Sequence, residues 1–354
     1  MNTHQTTPKD NPIIRVAVAV IRYQDEFLLA MRQAHQHQGG KLEFVGGKIE
    51  QGELAELALI REVGEEIGLV LQTDQLVRFG VIVHDYTDKS VELYIYQVHL
   101  TNAQYHAFRY RTHGCENQAL HWLSMDELLM SGERLPAANV RILDWLTLAD
   151  KLIISHGLSH FGTIDEFVQY YVAHLPNQAW FYLRPQSDVA VARQLYQAIG
   201  THRTDIRMVI KDDLYLAYRD EFDGINSAVM VKLSAQTLSK CVDMQGRMTD
   251  FAQRLPTGLP KDLPLLVGVH DTHEAMLANH LARHARVIGA MVSPVKMTQS
   301  HPTVQVLGWQ GFGELAGRLS MPAIALGGLD LSDERTACEN GAVAIAGIRG
   351  MMAG

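Results

Sequence analysis

The chain has 354 residues, 47% hydrophobic and 20% charged, with a net charge of −8; the length suits two domains and the composition a soluble globular protein. No apolar run approaches the roughly 18 to 20 residues that span a bilayer, and no Lys/Arg stripe offers the basic groove that a long DNA or RNA backbone requires. A free nucleotide is not excluded, because a bound divalent cation offsets the repulsion between its phosphates and an acidic protein.

Residues 1–12 are polar, carry Pro8 and Pro12 and lack the apolar core of a signal peptide, so they read as a disordered tail. The β-branched run Arg15–Ile21 and the segment Phe27–Ala30 predict two strands around a turn at Asp25. Gly39-Gly40 and Gly46-Gly47 bracket Lys41–Val45. A helix is predicted from about Leu54 to Ile67, with apolar Leu54, Leu57, Ala58, Ile60 and Val63, stopped by Gly68. Strands Leu76–His84 and Val91–Leu100 follow, then helices Met125–Leu129 and Asn139–Leu148. Cys115, Cys241 and Cys338 are widely spaced and form no CxxC, which points to reduced thiols and a cytoplasmic protein.

From about Asp150 short apolar strands alternate with helices. The strand candidates are Leu152–Ser155, Trp180–Leu183, Met208–Ile210, Phe222–Ile225, Leu265–Gly268, Val287–Val292, Ala323–Leu326 and Val343–Ala346; Leu233–Leu263 is irregular. Eight strands with intervening helices predict a (β/α)₈ barrel. The expected organisation is a tail at 1–12, a first domain at 13–148 and a second at 149–354.

The chemistry concentrates in Gly47-Lys-Ile-Glu-Gln-Gly-Glu53, followed after seven residues by Arg61-Glu-Val-Gly-Glu-Glu-Ile-Gly-Leu69. Glu62, Glu65 and Glu66 stand at i, i+3 and i+4 of one helix, where like charges repel. By itself that is a solvated acidic face; alternatively a hard cation relieves the repulsion, since Mg²⁺ prefers carboxylate oxygens. Arg61 can pair with Glu53 and hold the preceding turn. Gly47 and Gly52 permit backbone geometry that other residues resist.

These residues reproduce the complete Nudix box, and the chain resembles that family over its N-terminal part. Lys41–Glu50 is similar to the MutT-type 8-oxo-dGTP diphosphatases, with Val45 where they have Pro. Arg32 and His37 stand upstream at the spacing of that type. Gly114-Cys-Glu-Asn-Gln118 followed by Trp122 resembles the family's Glu-Gly-Gln segment, with Asn117 in place of Gly, and Leu135-Pro-Ala-Ala-Asn139 resembles its Pro-Ala-Asn segment. The resemblance implies an α/β/α sandwich with a mixed sheet. It also implies metal binding by Gly47, Glu62, Glu65, Glu66 and Glu116, catalysis by Glu62 with Arg61 and Glu53, and Mg²⁺, with Mn²⁺ as the substitute. The substrate would be a nucleotide bound by Arg32, His37, Lys48 and Asn139. An oxidised purine nucleoside triphosphate would yield monophosphate and pyrophosphate in nucleotide-pool sanitation, a form of DNA repair. Read without the family, Asn139 is most simply a helix N-cap.

The C-terminal part resembles thiamine phosphate synthase and the TenI-like proteins through Leu183-Arg184, Ile210-Lys-Asp212, Phe222-Asp-Gly-Ile225, Gly268–Glu274, Ser293-Pro-Val295, Ala325-Leu-Gly-Gly328 and Gly341–Ala346. It implies a phosphate or ligand site of Arg184, Asp212, Gly327, Gly328 and Gly347, taking a phosphorylated ligand of the thiamine pathway. Departures weigh against synthase activity: Arg184-Pro-Gln186 lacks the family's Lys, and Asn226-Ser227 stands where the family has His-Leu. Two other readings follow from the fusion. One is a thiamine-pathway transferase whose Nudix domain clears a pyrimidine diphosphate; the other is a non-catalytic barrel that senses a ligand.

Overall fold

The computed structural model describes residues 12–35, 38–86, 89–223, 229–241, 255, 257–298 and 305–352. Contacts divide the chain into two compact units, one ending at Leu146 and the other beginning at Thr147.

The first unit is organised by strand β1 (Ile13–Tyr23), whose residues 17 to 21 are all buried. A strand covered on both faces reads as an unbroken apolar run, which is how this one reads. After it come β2 (Glu26–Met31), β3 (Leu42–Glu43), β4 (Val45–Lys48), helix α1 (Ala55–Ile67), β5 (Leu76–Asp85) and β6 (Ser90–His99). Helix α2 (Asn102–Phe108), β7 (Leu120–Ser124), α3 (Met125–Met130) and α4 (Ala137–Leu146) complete the unit. The seven strands form one sheet in the order β3-β2-β1-β6-β5, with β4 on β1 and β7 on β2. Only the β1–β6 pairing is parallel, so the sheet is mixed. One edge of β1 is shared: Val16–Ala19 pair with β4 and Ile21–Tyr23 with β2. That division seats β4, and its two glycines, beside the middle of the sheet.

Helix α1 packs Ala58, Leu59, Val63 and Ile67 into the core. Leu59, Val63 and Ile67 recur at intervals of four, the stripe of a helix lying on a sheet. Leu54 and Leu57, apolar residues of the predicted helix, lie off that stripe and are exposed at 64% and 51%. Gly68 ends the helix in the left-handed region, φ 69°, and its N–H donates to the Gly64 carbonyl. Helix α2 was not anticipated, although Thr101 and Gln104 form a capping box at its start.

The second unit is a closed barrel of eight parallel strands: β8 (Lys151–Ile154), β9 (Trp180–Tyr182), β10 (Arg207–Lys211), β11 (Met230–Leu233), β12 (Leu265–Val269), β13 (Val287–Val292), β14 (Ala323–Leu326) and β15 (Ala342–Gly347). The helices among them are α5 (Ile164–His174), α6 (Val189–His202), α7 (Asp212–Ala217), α8 (Arg219–Asp223), α9 (Ala235–Cys241), α10 (Thr272–His284), α11 (Gly308–Ala316) and α12 (Glu334–Glu339). The overall class is α/β, with a barrel of the (β/α)₈ kind as its second half. The strand expected at Phe222–Ile225 is not found there. Phe222 and Asp223 belong to α8, residues 224–228 lie outside the described part, and the fourth barrel strand is Met230–Leu233.

Arg203, at the end of α6, ties two layers together. Its guanidinium donates to the carbonyls of Leu175 at 2.6 Å and Pro176 at 2.7 Å, just past α5, and it pairs with Asp205 at 2.8 Å. Asp205 in turn accepts the Gln178 N–H at 2.9 Å. The Val172 carbonyl also accepts from the guanidinium at 3.3 Å, so four groups lose a partner if the arginine is removed. Arg203→Ala is therefore expected to destabilise the barrel by about 2–3 kcal/mol, read as a shift of the barrel's transition in urea.

Candidate active site

Backbone geometry builds the site before any carboxylate does. A Cβ at Gly46 would lie 2.0 Å from the Ala17 carbonyl oxygen on β1, and one at Gly47 would lie 2.1 Å from the Glu62 carboxylate. Glycine is therefore required twice, once by the neighbouring strand and once by the side chain descending from α1. The closeness lays Glu62 flat over β4, while Glu66 accepts the Gly46 N–H at 3.3 Å. Glu65, with a side chain 60% exposed, stands further out. The three glutamates thus do not form a single solvated face: two are folded onto β4.

Arg61 holds the frame. Nε and Nη2 donate to the two Glu53 oxygens at 3.0 Å each, Nη1 donates to Glu62 at 2.8 Å and to Glu65 at 3.3 Å, and Nη2 also donates to the Lys48 carbonyl at 3.1 Å. Glu53 closes its own turn by accepting the Glu50 N–H at 2.9 Å. The fork of the guanidinium matches the carboxylate in two places at once. It pushes the arginine's pKa up through the Glu53 and Glu62 hydrogen bonds, and holds the Glu53 carboxyl below its usual range.

The loop Gly114–Gln118 is bound to the end of α1. The Cys115 N–H donates to the Glu66 carbonyl at 2.7 Å, and the Gln118 side-chain amide donates to the same oxygen at 2.9 Å. Gln118 also accepts the Glu116 N–H at 3.0 Å. Asn117, which occupies the family's glycine position, has φ 63°. Asn is one of the few side chains that tolerate this left-handed region, which accounts for the substitution. Glu116 itself is exposed on the loop.

Arg32 forms an ion pair with Glu43, and burial raises the Glu43 pKa against the pull of that arginine. Lys48 is exposed, with only its carbonyl engaged by Arg61. Asn139 is buried at 7% and sits inside the first turn of α4, its N–H donating to the Pro136 carbonyl. It is not the helix N-cap, since α4 begins at Ala137. His37 lies outside the described residues. Val45 is a fully buried strand residue opposite Ala19. The sequence reading did not single out Glu43, which shares the site's charge through Arg32 and Glu66.

The electrostatics decide whether the site fits a cation. Among the described residues no three His, Cys, Asp or Glu side chains converge as a finished cage; like carboxylates repel, and Arg61 supplies the local counter-charge. Yet Glu66 is pushed up to about 8, first by burial and then by the charge of Glu43, with Glu116 and Glu62 adding to it against the Gly46 hydrogen bond. Holding several carboxylates around one half-buried carboxyl is unfavourable without a positive charge among them. The donor set is all oxygen, as a hard divalent ion requires. The residues present therefore fit such an ion.

In the barrel, a cavity of about 890 Å³ opens among the strand ends. Arg184, Gly327, Gly328 and Gly347 line it, together with Lys232, His270 and Arg349. Asp212 does not. Its carboxylate accepts the Ser234 N–H at 3.1 Å, the Ser234 hydroxyl at 2.9 Å and the Asp213 N–H at 3.0 Å. Gly328 has a packing reason of its own: a Cβ there would lie 2.5 Å from the Met297 carbonyl oxygen.

The site is thus a glutamate-bearing helix pressed onto a Gly-Gly strand of a mixed sheet. The family model described as NUDIX domain matches residues 16–145, and the one described as Thiamine monophosphate synthase matches residues 256–351. The chain is 31% identical over 131 residues to the 8-oxo-dGTP diphosphatase of Escherichia coli (strain K12), covering 37% of this chain and 93% of that protein. It is 35% identical over 91 residues to the 8-oxo-dGTP diphosphatase of Proteus vulgaris (25% and 79%), and 32% over 117 residues to the CTP pyrophosphohydrolase of Escherichia coli (strain K12) (33% and 80%). The chain belongs to the Nudix family. Its first unit is a nucleotide pyrophosphohydrolase, and its second carries a domain of the thiamine monophosphate synthase type.

Proposed function

We propose that the first unit hydrolyses purine nucleoside triphosphates, oxidised guanine nucleotides such as 8-oxo-dGTP among them, to monophosphate and pyrophosphate with Mg²⁺. The observation that carries this reading is that Glu62 and Glu66 are folded onto the Gly46-Gly47 backbone, with Glu66 pushed up to about 8 by burial first and then by the charges of Glu43, Glu116 and Glu62.

Glu62, Glu65, Glu66, Glu116 and the Gly47 carbonyl would hold the metal. When bound, Mg²⁺ neutralises phosphate charge and lowers the pKa of a coordinated water. Glu62 would accept the proton of the attacking water. Arg61 and Glu53 act as positioning residues, since each holds the other and Arg61 holds the strand under Glu62. Arg32, Lys48 and His37 meet the phosphates. Asn139, buried at the start of α4, presents a donor and an acceptor to the base. A base whose edge complements that donor and acceptor is favoured by the hydrogen bonds it would make.

The reading is tested with a panel of nucleotides and Mg²⁺, following phosphate and pyrophosphate separately. Pyrophosphate release, greatest for 8-oxo-dGTP or dGTP and abolished by chelation, is expected. Preference for CTP, the substrate named for one relative, would remove the purine assignment.

A further inference from the structure

Lys232 lies on the fourth barrel strand between Val231 and Leu233, both fully buried. Alternation along a strand sends their side chains to one face and Lys232 to the other, where it lines the cavity one residue from the strand's C-terminal end. That end of a barrel is where reacting groups collect. Space for the ammonium comes from Gly268 on the adjacent strand β12: a Cβ there would lie 2.9 Å from Lys232 Nζ and 3.6 Å from His270 Cε1. Amine and imidazole therefore flank one glycine.

The acids that face Lys232 are already engaged. Asp212 is held by Ser234 and the Asp213 N–H, and Glu274 by the His270 ring at 2.7 Å and the His270 N–H at 2.8 Å. Arg184 and Lys211 add positive charge nearby. Among the described residues no hydrogen bond or ion pair holds the Lys232 ammonium, and burial lowers its pKa. Burial disfavours the charged form of such a lysine relative to an exposed one, and the neutral form carries the lone pair that adds to a carbonyl. Among the described residues that line the cavity, Arg184, Arg349 and Lys232 are cationic and Asp330 is anionic, a balance that suits an anionic occupant.

We propose that Lys232 is a carbonyl-capturing amine, forming an imine with a small anionic aldehyde or ketone seated in the barrel cavity. The neutral amine adds to the carbonyl carbon and the carbonyl electron pair moves to oxygen; His270, oriented by Glu274, takes the first proton that leaves nitrogen and returns it to that oxygen, giving the carbinolamine. The nitrogen lone pair then forms the C=N bond as the hydroxyl departs, and the second nitrogen proton, relayed by the same imidazole, completes the water, so that His270 ends as it began. No oxidant or reductant is consumed.

The test uses the full chain, glyceraldehyde 3-phosphate as the probe, and sodium borohydride, whose hydride reduces the imine to a stable secondary amine. Peptide mass analysis then locates the modified lysines. Lys232 should be labelled roughly tenfold faster than exposed Lys151 or Lys240 in the same sample, because the cations of the cavity hold the phosphate and so keep the aldehyde beside this amine. Unphosphorylated glyceraldehyde should lose that advantage. Lys232→Arg keeps the charge and should abolish the site's label without altering turnover of nucleotides by the first unit. Labelling of Lys232 no faster than of the exposed lysines would overturn the imine, a result read in the wild-type chain and so independent of how the variant folds. An equal advantage with and without the phosphate would overturn the anionic occupant. Neither outcome bears on the function proposed for the first unit.

Discussion

Glu62→Gln is expected to lower kcat for nucleotide hydrolysis by about a thousandfold, within the range for loss of a general base, while the first unit keeps its fold. The amide retains the size of the carboxylate that overlies Gly47 and can still meet Arg61 through its carbonyl oxygen. What it loses is the charge that helps hold a cation and the basicity that accepts a proton. Parallel measurement of kcat/KM and of urea unfolding separates the two effects. A variant with unaltered turnover would remove Glu62 from the chemistry, and the assignment of the whole carboxylate cluster with it.

The second large effect is expected at Arg61. Lys in its place offers one ammonium where the guanidinium serves Glu53, Glu62, Glu65 and the Lys48 carbonyl. Loss of that frame lets β4 and Glu62 drift, and misplacement by about 1 Å can cost about a hundredfold in rate. Arg61→Lys should therefore lower kcat about a hundredfold with KM little altered. Glu53→Gln should act through the same pair, so the double variant should be scarcely worse than Arg61→Lys alone. Additive losses would show that the two residues act separately, and the positioning role would fall.

Much of this was legible before any coordinates. The glutamates at 62, 65 and 66 alone read as a solvated helix face; it is their register with Gly47, Glu53 and Arg61, the complete Nudix box, that marked them as candidates for a metal site. The strands of both units follow from β-branched runs, because a strand buried on both faces leaves an unbroken apolar stretch. The failures have physical reasons too. Met230–Leu233 was missed because Lys232 interrupts its apolar run, and an inward-facing lysine in a barrel looks from the sequence like a surface residue. Phe222–Ile225 was taken instead because its ends are apolar, although Asp223 belongs to a short helix. Asn139 resembled an N-cap because the turn starting at Pro136 was set three residues too late. Leu54 and Leu57 counted among the apolar residues that predicted the helix yet are exposed, because apolar character alone does not give the phase of a helix. Glu43 was invisible as a site residue, since only the pairing of β3 with β2 brings it near Arg32 and Glu66.

The Glu66 carbonyl, which accepts from both Cys115 and Gln118, has a consequence for how such a site can change over generations. Two stretches of chain about fifty residues apart meet at one oxygen atom that bears no catalytic duty. The acidic helix and the acidic loop therefore cannot drift independently: a change at Gln118 shifts the seat of Glu66 without touching any carboxylate. Transplanting the helix and its preceding turn into another protein would carry over the motif but leave behind the joint that aligns it. The heritable unit of this active site is the pair of segments with its shared backbone hinge, a larger object than the signature by which it is recognised.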